Sequence, residues 1–151
     1  MHKKIILLPL IALCIYCYAC SGSKSLPNPL LLKTGTYDFS MTDSLTNKTL
    51  LTGTFTIDTS GEDVFGNYSI TSVADSLFIG YGSVKRGGEF KGHYNKVLGQ
   101  VSVNMNPRIA DANVYVSGEI KGKTIRGVWS YSTISMTTGT TGGKFKADLQ
   151  E

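Results

Sequence analysis

Residues 35 to 151 predict an all-β fold: an antiparallel meander of about eight or nine short strands, closed or nearly closed into a small barrel. Three observations carry that expectation. Apolar residues recur with a period of two, the mark of strands with one buried face. The segments between them are short and built from turn formers, which favours sequential antiparallel pairing. No stretch after residue 35 holds an amphipathic helical period for ten residues. A meander that closes on itself also removes its exposed edges.

The chain begins differently. Met1-His2-Lys3-Lys4 leads into a 15-residue apolar run, Ile5 to Ala19. That run is short for a helix crossing roughly 30 Å of hydrocarbon, and Pro9 interrupts it. Residues 1–19 therefore read as a cleaved signal peptide. Small or apolar residues (Ala12, Leu13, Cys14, Cys17, Ala19) precede Cys20, and Ser21-Gly22-Ser23-Lys24-Ser25 follows it. This arrangement resembles the lipobox of bacterial lipoproteins, best matched at Ala19-Cys20, with Cys17 where that family prefers Leu. The resemblance implies a diacylglyceryl thioether on Cys20, cleavage before it and acylation of the new amino terminus. Cleavage after Cys17 to Ala19 by an ordinary signal peptidase and retention as a membrane helix are the other readings. Several acyl chains make anchoring effectively permanent, whereas one gives only marginal binding.

Loss of Cys14 and Cys17 with the signal peptide, and of Cys20 to lipid, leaves no thiol for a disulfide. The fold must be held by its core. Residues 20–34 form the lipidated cysteine and a Ser/Gly/Pro tether, whose Leu30, Leu31 and Leu32 are placed to pack against the domain. No acid lies at positions 21 to 25, which by resemblance to lipoprotein sorting in double-membrane bacteria implies outer-membrane retention facing the periplasm.

The strand candidates follow in order: Tyr37/Phe39/Met41, Phe55/Ile57, Tyr68/Ile70, Ile79/Tyr81, Phe90/Tyr94, Val101/Val103/Met105, Val114/Val116, Ile125/Trp129/Tyr131 and Phe145/Ala147/Leu149. Between them the predicted turns are Thr46-Asn47-Lys48, Ser60-Gly61-Glu62-Asp63, Arg86-Gly87-Gly88, Asn106-Pro107-Arg108 and Lys121-Gly122-Lys123. Glycines stand near expected strand starts at Gly35, Gly53, Gly66, Gly80 and Gly127. Together with Ile125-Arg126-Gly127-Val128-Trp129 and Gly143-Lys144-Phe145-Lys146-Ala147, this pattern resembles the small meander barrels of the lipocalin and avidin architecture. The first strand carries Gly35-Thr36-Tyr37 instead of a lipocalin Gly-x-Trp, and Trp129 is the sole tryptophan. Neither family's ligand residues transfer to this chain.

The formal charge is +4, and removing Lys3 and Lys4 leaves 13 basic against 11 acidic residues, or +2. The basic residues are scattered singly or in pairs such as Lys85-Arg86, so no nucleic-acid footprint is expected. The mature chain has a single histidine, His93, expected on the solvent face with Glu89 and Lys91. Neither a catalytic constellation nor a cofactor motif is found, and the protein is expected not to be an enzyme. The run Asp58-Thr59-Ser60-Gly61-Glu62-Asp63 offers oxygen ligands that would suit calcium but matches no EF-hand loop, so a solvated turn is expected and no metal. Asp43-Ser44-Leu45 and Asp75-Ser76-Leu77 resemble a bacterial O-glycosylation acceptor motif.

An eight-stranded barrel is either filled by side chains or just large enough for one small ligand. The expected inward rings are Tyr37, Phe55, Tyr68, Tyr81, Phe90, Tyr94 and Trp129. One reading has them fill the interior. The other makes Tyr37, Phe55, Tyr68, Tyr81, Tyr94 and Trp129 the lining of a site for a small apolar ligand, with tyrosine hydroxyls as its polar points. The best functional expectation is a lipid-anchored carrier or sensor. The alternative is an interaction module for an envelope protein, acting through outer strand faces and loop 132–142.

Overall fold

The computed structural model describes residues 31–74, 84, 87–109, 111–133 and 141–151. Eight strands follow in chain order: β1 Gly35–Thr42, β2 Thr49–Ser60, β3 Asp63–Val73, β4 Gly87–Asn95, β5 Gln100–Asn104, β6 Ala112–Lys121, β7 Thr124–Thr133 and β8 Gly142–Leu149. Each pairs antiparallel with the next, and β8 returns to pair with β1 from Tyr37↔Leu149 to Met41↔Phe145. The result is a closed eight-stranded meander barrel. The ninth strand candidate, Ile79/Tyr81, lies outside the described residues.

Alternation dictates the two surfaces. The core collects Tyr37, Phe39 and Met41 from β1, Phe55 and Ile57 from β2, Tyr68 from β3, and Phe90 and Tyr94 from β4. The other strands add Val101, Val103, Val114, Val116, Ile120, Ile125, Trp129, Phe145 and Ala147. Their neighbours Asp38, Thr56, Asp58, Asn67, Lys91, Ser102, Ser117, Lys144 and Lys146 are exposed or partly exposed. That polarity is the reverse of a membrane-spanning barrel, whose outer band is apolar. No helix among the described residues is long and apolar enough to cross a membrane.

Glycine shapes the wall from within. A Cβ on Gly127 would come within 1.9 Å of the Ser117 carbonyl oxygen, and one on Gly66 within 1.9 Å of that of Thr56. Adjacent strands therefore approach at inward positions where only glycine fits, which lets a small barrel coil tightly.

Two connections depart from expectation. Gly87 and Gly88 are not a turn but the start of β4, paired with Ser69 and Tyr68. The β4–β5 turn is Lys96-Val97-Leu98-Gly99, which the apolar Val97 and Leu98 conceal in the sequence. It forms because the Asn95 side-chain oxygen accepts the Val97 and Leu98 N–H groups, each at 3.0 Å, and Gly99 takes φ 63°. The turns at Thr46-Asn47-Lys48, Gly61-Glu62, Pro107-Arg108 and Gly122-Lys123 lie where expected.

At the end where β1 starts, the chain entering the barrel closes it. Leu32 is buried in the core and its N–H donates to the Tyr94 hydroxyl at 3.1 Å, while the Tyr37 hydroxyl donates to the Lys33 carbonyl at 2.8 Å. The turns at 61–62, 96–99 and 122–123 share this end. The connections after β1, β3, β5 and β7 leave from the opposite, loop end.

Candidate functional site at the loop end

The barrel centre is occupied by rings. Phe55 stands 4.5 Å from Phe39 and 4.9 Å from Phe90 between ring centroids, with Phe145 at 5.8 Å and Tyr68 at 5.9 Å. Such spacing is ordinary contact between packed aromatics. Inward rings thus fill the middle of the barrel.

The aromatic residues singled out in the sequence separate into levels. Tyr37 and Tyr94 belong to the closed end, where the backbone at Leu32 and Lys33 engages their hydroxyls. Burial raises the Tyr37 pKa. Phe55 is central. Trp129 lies toward the loop end and donates its indole N–H to the Thr42 carbonyl at 2.8 Å, next to the register irregularity at Met41/Thr42. Tyr81 and the lipidation candidate Cys20 lie outside the described residues.

Tyr68 differs from the other tyrosines. Its ring is buried, yet among the described residues its hydroxyl has no hydrogen-bond partner. Desolvation alone pushes its pKa up to about 12. The hydroxyl faces a cleft of about 320 Å³ lined by Tyr68, Gly87, Gly88, Glu89, Met105 and the segment Asn106-Pro107-Arg108.

Strand lengths create this cleft. β5 is five residues long and pairs with β4 only from Lys91 to Asn95, so Gly87 to Phe90 have no partner on that side. Past β5 the chain is held toward β6 instead. Met105 N–H donates to the Val114 carbonyl at 2.8 Å, and the Asn106 side chain donates to the Ala112 carbonyl at 2.8 Å. The Asn104 amide donates to the Asn113 side-chain oxygen, also at 2.8 Å. The wall therefore splits between β4 and residues 105–108.

Glycine keeps the split open. A Cβ on Gly88 would sit 3.3 Å from the Tyr68 hydroxyl, so any side chain there would enter the cleft. At Gly87, where φ is 127°, a Cβ would come within 2.4 Å of the Tyr68 carbonyl oxygen. Outside, Arg108 bridges to Glu89 at 2.6 Å, with both side chains at least half exposed. An exposed pair of this kind contributes about 0–1 kcal/mol, so it is a weak latch over the mouth. The cleft offers mixed polar and apolar walls, the accessible Tyr68 hydroxyl and a flanking charge of each sign. It can hold a small amphipathic molecule.

The outer wall carries a second depression of about 460 Å³ across β4 to β7, bordered by His93, Gln100, Ser102, Ser117, Arg126 and Val128. His93 is solvent-facing, its Nε2 3.4 Å from a Glu62 carboxylate oxygen. Among the described residues no group of three or more His, Cys, Asp or Glu side chains is gathered for a metal ion. Asp58 and Asp63 belong to β2 and β3, joined by the two-residue turn Gly61-Glu62. Asp43 is committed to its own turn, accepting the Leu45 and Thr46 N–H groups at 2.7 and 2.6 Å, while Ser44 beside it is exposed.

Fold and cleft define a closed, side-chain-filled meander barrel with a split in its wall at the loop end. No protein-family model matches the chain, and no curated protein matches it in sequence.

Proposed function

We propose that the protein is a lipid-anchored, non-enzymatic binding protein of the bacterial envelope, held at the outer membrane through Cys20 and facing the periplasm. It takes a small amphipathic ligand at the loop-end cleft. The observation that carries this reading is the Tyr68 hydroxyl: its ring buried, no hydrogen-bond partner among the described residues, and facing space kept free by Gly87 and Gly88. That hydroxyl opens on the cleft, where a ligand's acceptor or donor can take the place of water. Because rings fill the centre, the ligand enters the split between β4 and residues 105–108. Tyr68 is then its polar contact, while Tyr37, Phe55, Tyr94 and Trp129 are the packed support behind it.

A titration with 1-naphthol tests the reading through the probe's own fluorescence. Tyr68→Phe is expected to weaken binding by up to roughly tenfold, the worth of one hydrogen bond at about 1 kcal/mol. Gly88→Leu, which fills the cleft, is expected to abolish it. Equal affinity in wild type, Tyr68→Phe and Gly88→Leu would refute a site at the cleft.

A second reading, an interaction module for an envelope protein, is favoured by the outer wall. Phe65, Tyr115 and Val128 are 40, 40 and 57 % exposed on strand faces otherwise polar, and Val128 borders the 460 Å³ depression. Most of loop 132–142, the other element of that reading, lies outside the described residues. Loss of partner capture from envelope extract on Val128→Asp, with the fold unchanged, would favour it.

A further inference from the structure

We infer that the closed end of the barrel is a membrane-docking face, with the Val97-Leu98 turn dipping into the lipid interface beneath the anchor. The inference rests on the reading of Cys20 as lipidated and adds an orientation to it. Val97 is 85 % exposed and Leu98 59 %, two adjacent aliphatic residues at one hairpin tip, whereas the exposed aliphatics of the loop end, Leu45 and Ile109, stand apart in the chain. The tip is also pre-shaped. Asn95 accepts both backbone N–H groups, Gly99 takes positive φ, and the Gly99 carbonyl accepts the Ile120 N–H at 2.8 Å. No ordering is needed for it to present its side chains.

Its position argues for lipid as the occupant. The chain enters the barrel at this same end, where Leu32 is buried and Leu31 is 62 % exposed. Ten residues, 21–30, lie between Cys20 and Leu31. Fully extended, that stretch bounds their separation at about 40 Å. A domain tethered that closely meets the bilayer at high effective concentration, so two aliphatic side chains suffice where they would not for a free protein. Lys33, Lys96, Lys121 and Lys123 share this end with Glu62, Asp63, Glu119 and Glu151, so its charges are mixed and do not repel a bilayer of either charge. Lys121 and Lys123 pair with Glu119 and Glu151, while Lys33 and Lys96 form no ion pair among the described residues and are exposed. Lys96, adjacent to the aliphatic tip, can reach the headgroup layer while Val97 and Leu98 enter it. Docked this way, the barrel turns its loop-end cleft away from the membrane.

The full chain, matured in a double-membrane host and reconstituted into phosphatidylethanolamine/phosphatidylglycerol vesicles, provides the test. The introduced cysteine is then the free thiol. Leu98→Cys and, at the opposite end, Leu45→Cys are each labelled with an environment-sensitive fluorophore, and the mass of each protein is measured for acyl chains. The expected result is an acylated protein whose probe at 98 shifts to the blue and is quenched by doxyl lipids, while the probe at 45 stays aqueous. Val97→Asp is expected to return the probe at 98 toward water. An acylated protein with both probes aqueous, both equally quenched, or a shift at 98 that follows protein concentration instead of lipid would overturn the docking face alone. A mass without acyl chains would overturn the anchoring reading, and the docking with it.

Discussion

Replacing Phe55 by alanine probes whether the barrel is held by its aromatic centre. The ring is 3 % exposed and has four aromatic neighbours, Phe39, Phe90, Phe145 and Tyr68, within 5.9 Å between centroids. Truncating a buried Phe costs about 3–5 kcal/mol, and the upper part of that range applies where the walls cannot collapse. Here β2 is hydrogen-bonded to β1 and β3 on its two sides, so the void stays. A loss of about 4 kcal/mol is a large share of the roughly 5–15 kcal/mol that stabilises a domain. The assay is urea unfolding of the mature chain followed by the fluorescence of Trp129, its sole tryptophan. The midpoint is expected to fall steeply at unchanged slope. Phe55→Leu, which keeps most of the volume, is expected to lose under about 1.5 kcal/mol. A loss below about 1.5 kcal/mol for Phe55→Ala at unchanged slope would refute the packed centre.

Three further outcomes follow from named contacts. Trp129→Phe removes the N–H that the Thr42 carbonyl accepts and is expected to cost about 1–3 kcal/mol by thermal unfolding, more than its small change in apolar volume implies. Gly127→Ala puts a Cβ within 1.9 Å of the Ser117 carbonyl and is expected to prevent soluble expression or lower the unfolding midpoint sharply. Gly61→Asn, at φ +66° with nothing within 4 Å of the added carbon, is expected to be nearly neutral in the same comparison. Tyr68 is expected to ionise near pH 12 against an ordinary 10, seen as a late step in tyrosinate absorbance that Tyr68→Phe removes. Below pH 10 this hydroxyl is protonated in both folded and unfolded chains. Above it the unfolded chain releases the proton first, so the stability tied to Tyr68 falls between pH 10 and 12.

Strand faces were legible because one side of each strand meets a core and the other meets water, which writes a period of two directly into the residues. Tyr37, Phe39 and Met41 could be placed inward from that alone. Turns were legible where glycine or proline marked them. They failed where hydropathy masked the chemistry: the apolar Val97 and Leu98 give no turn signal, while Asn95 bends the chain there through its own side chain. Gly87-Gly88 failed in the opposite sense, because glycine serves turns and close strand approach alike, and only the partner's backbone decides between them. Gly53, Gly66 and Gly127 read as strand-start markers but are inward positions pressed against a neighbouring strand.

The candidate site was legible in its residues and not in its place. Alternation predicts that Tyr37, Tyr68 and Tyr94 all face inward, as they do. Which hydroxyl lacks a partner depends on depth along the barrel axis. At one end Leu32 and Lys33 bring backbone groups to Tyr94 and Tyr37. At the other, the brevity of β5 leaves Tyr68 facing a split. Neither distance is encoded in a periodicity.

The central claim is that the loop-end cleft, and not the barrel centre, receives a ligand through Tyr68. Native mass spectrometry of residues 21–151, secreted into the periplasm of a double-membrane host and purified without detergent, tests it most directly when wild type and Gly88→Leu are compared. A stoichiometric extra mass on the wild type that vanishes in Gly88→Leu is the predicted result. A bare mass for the wild type, or an added mass that Gly88→Leu retains, would contradict it.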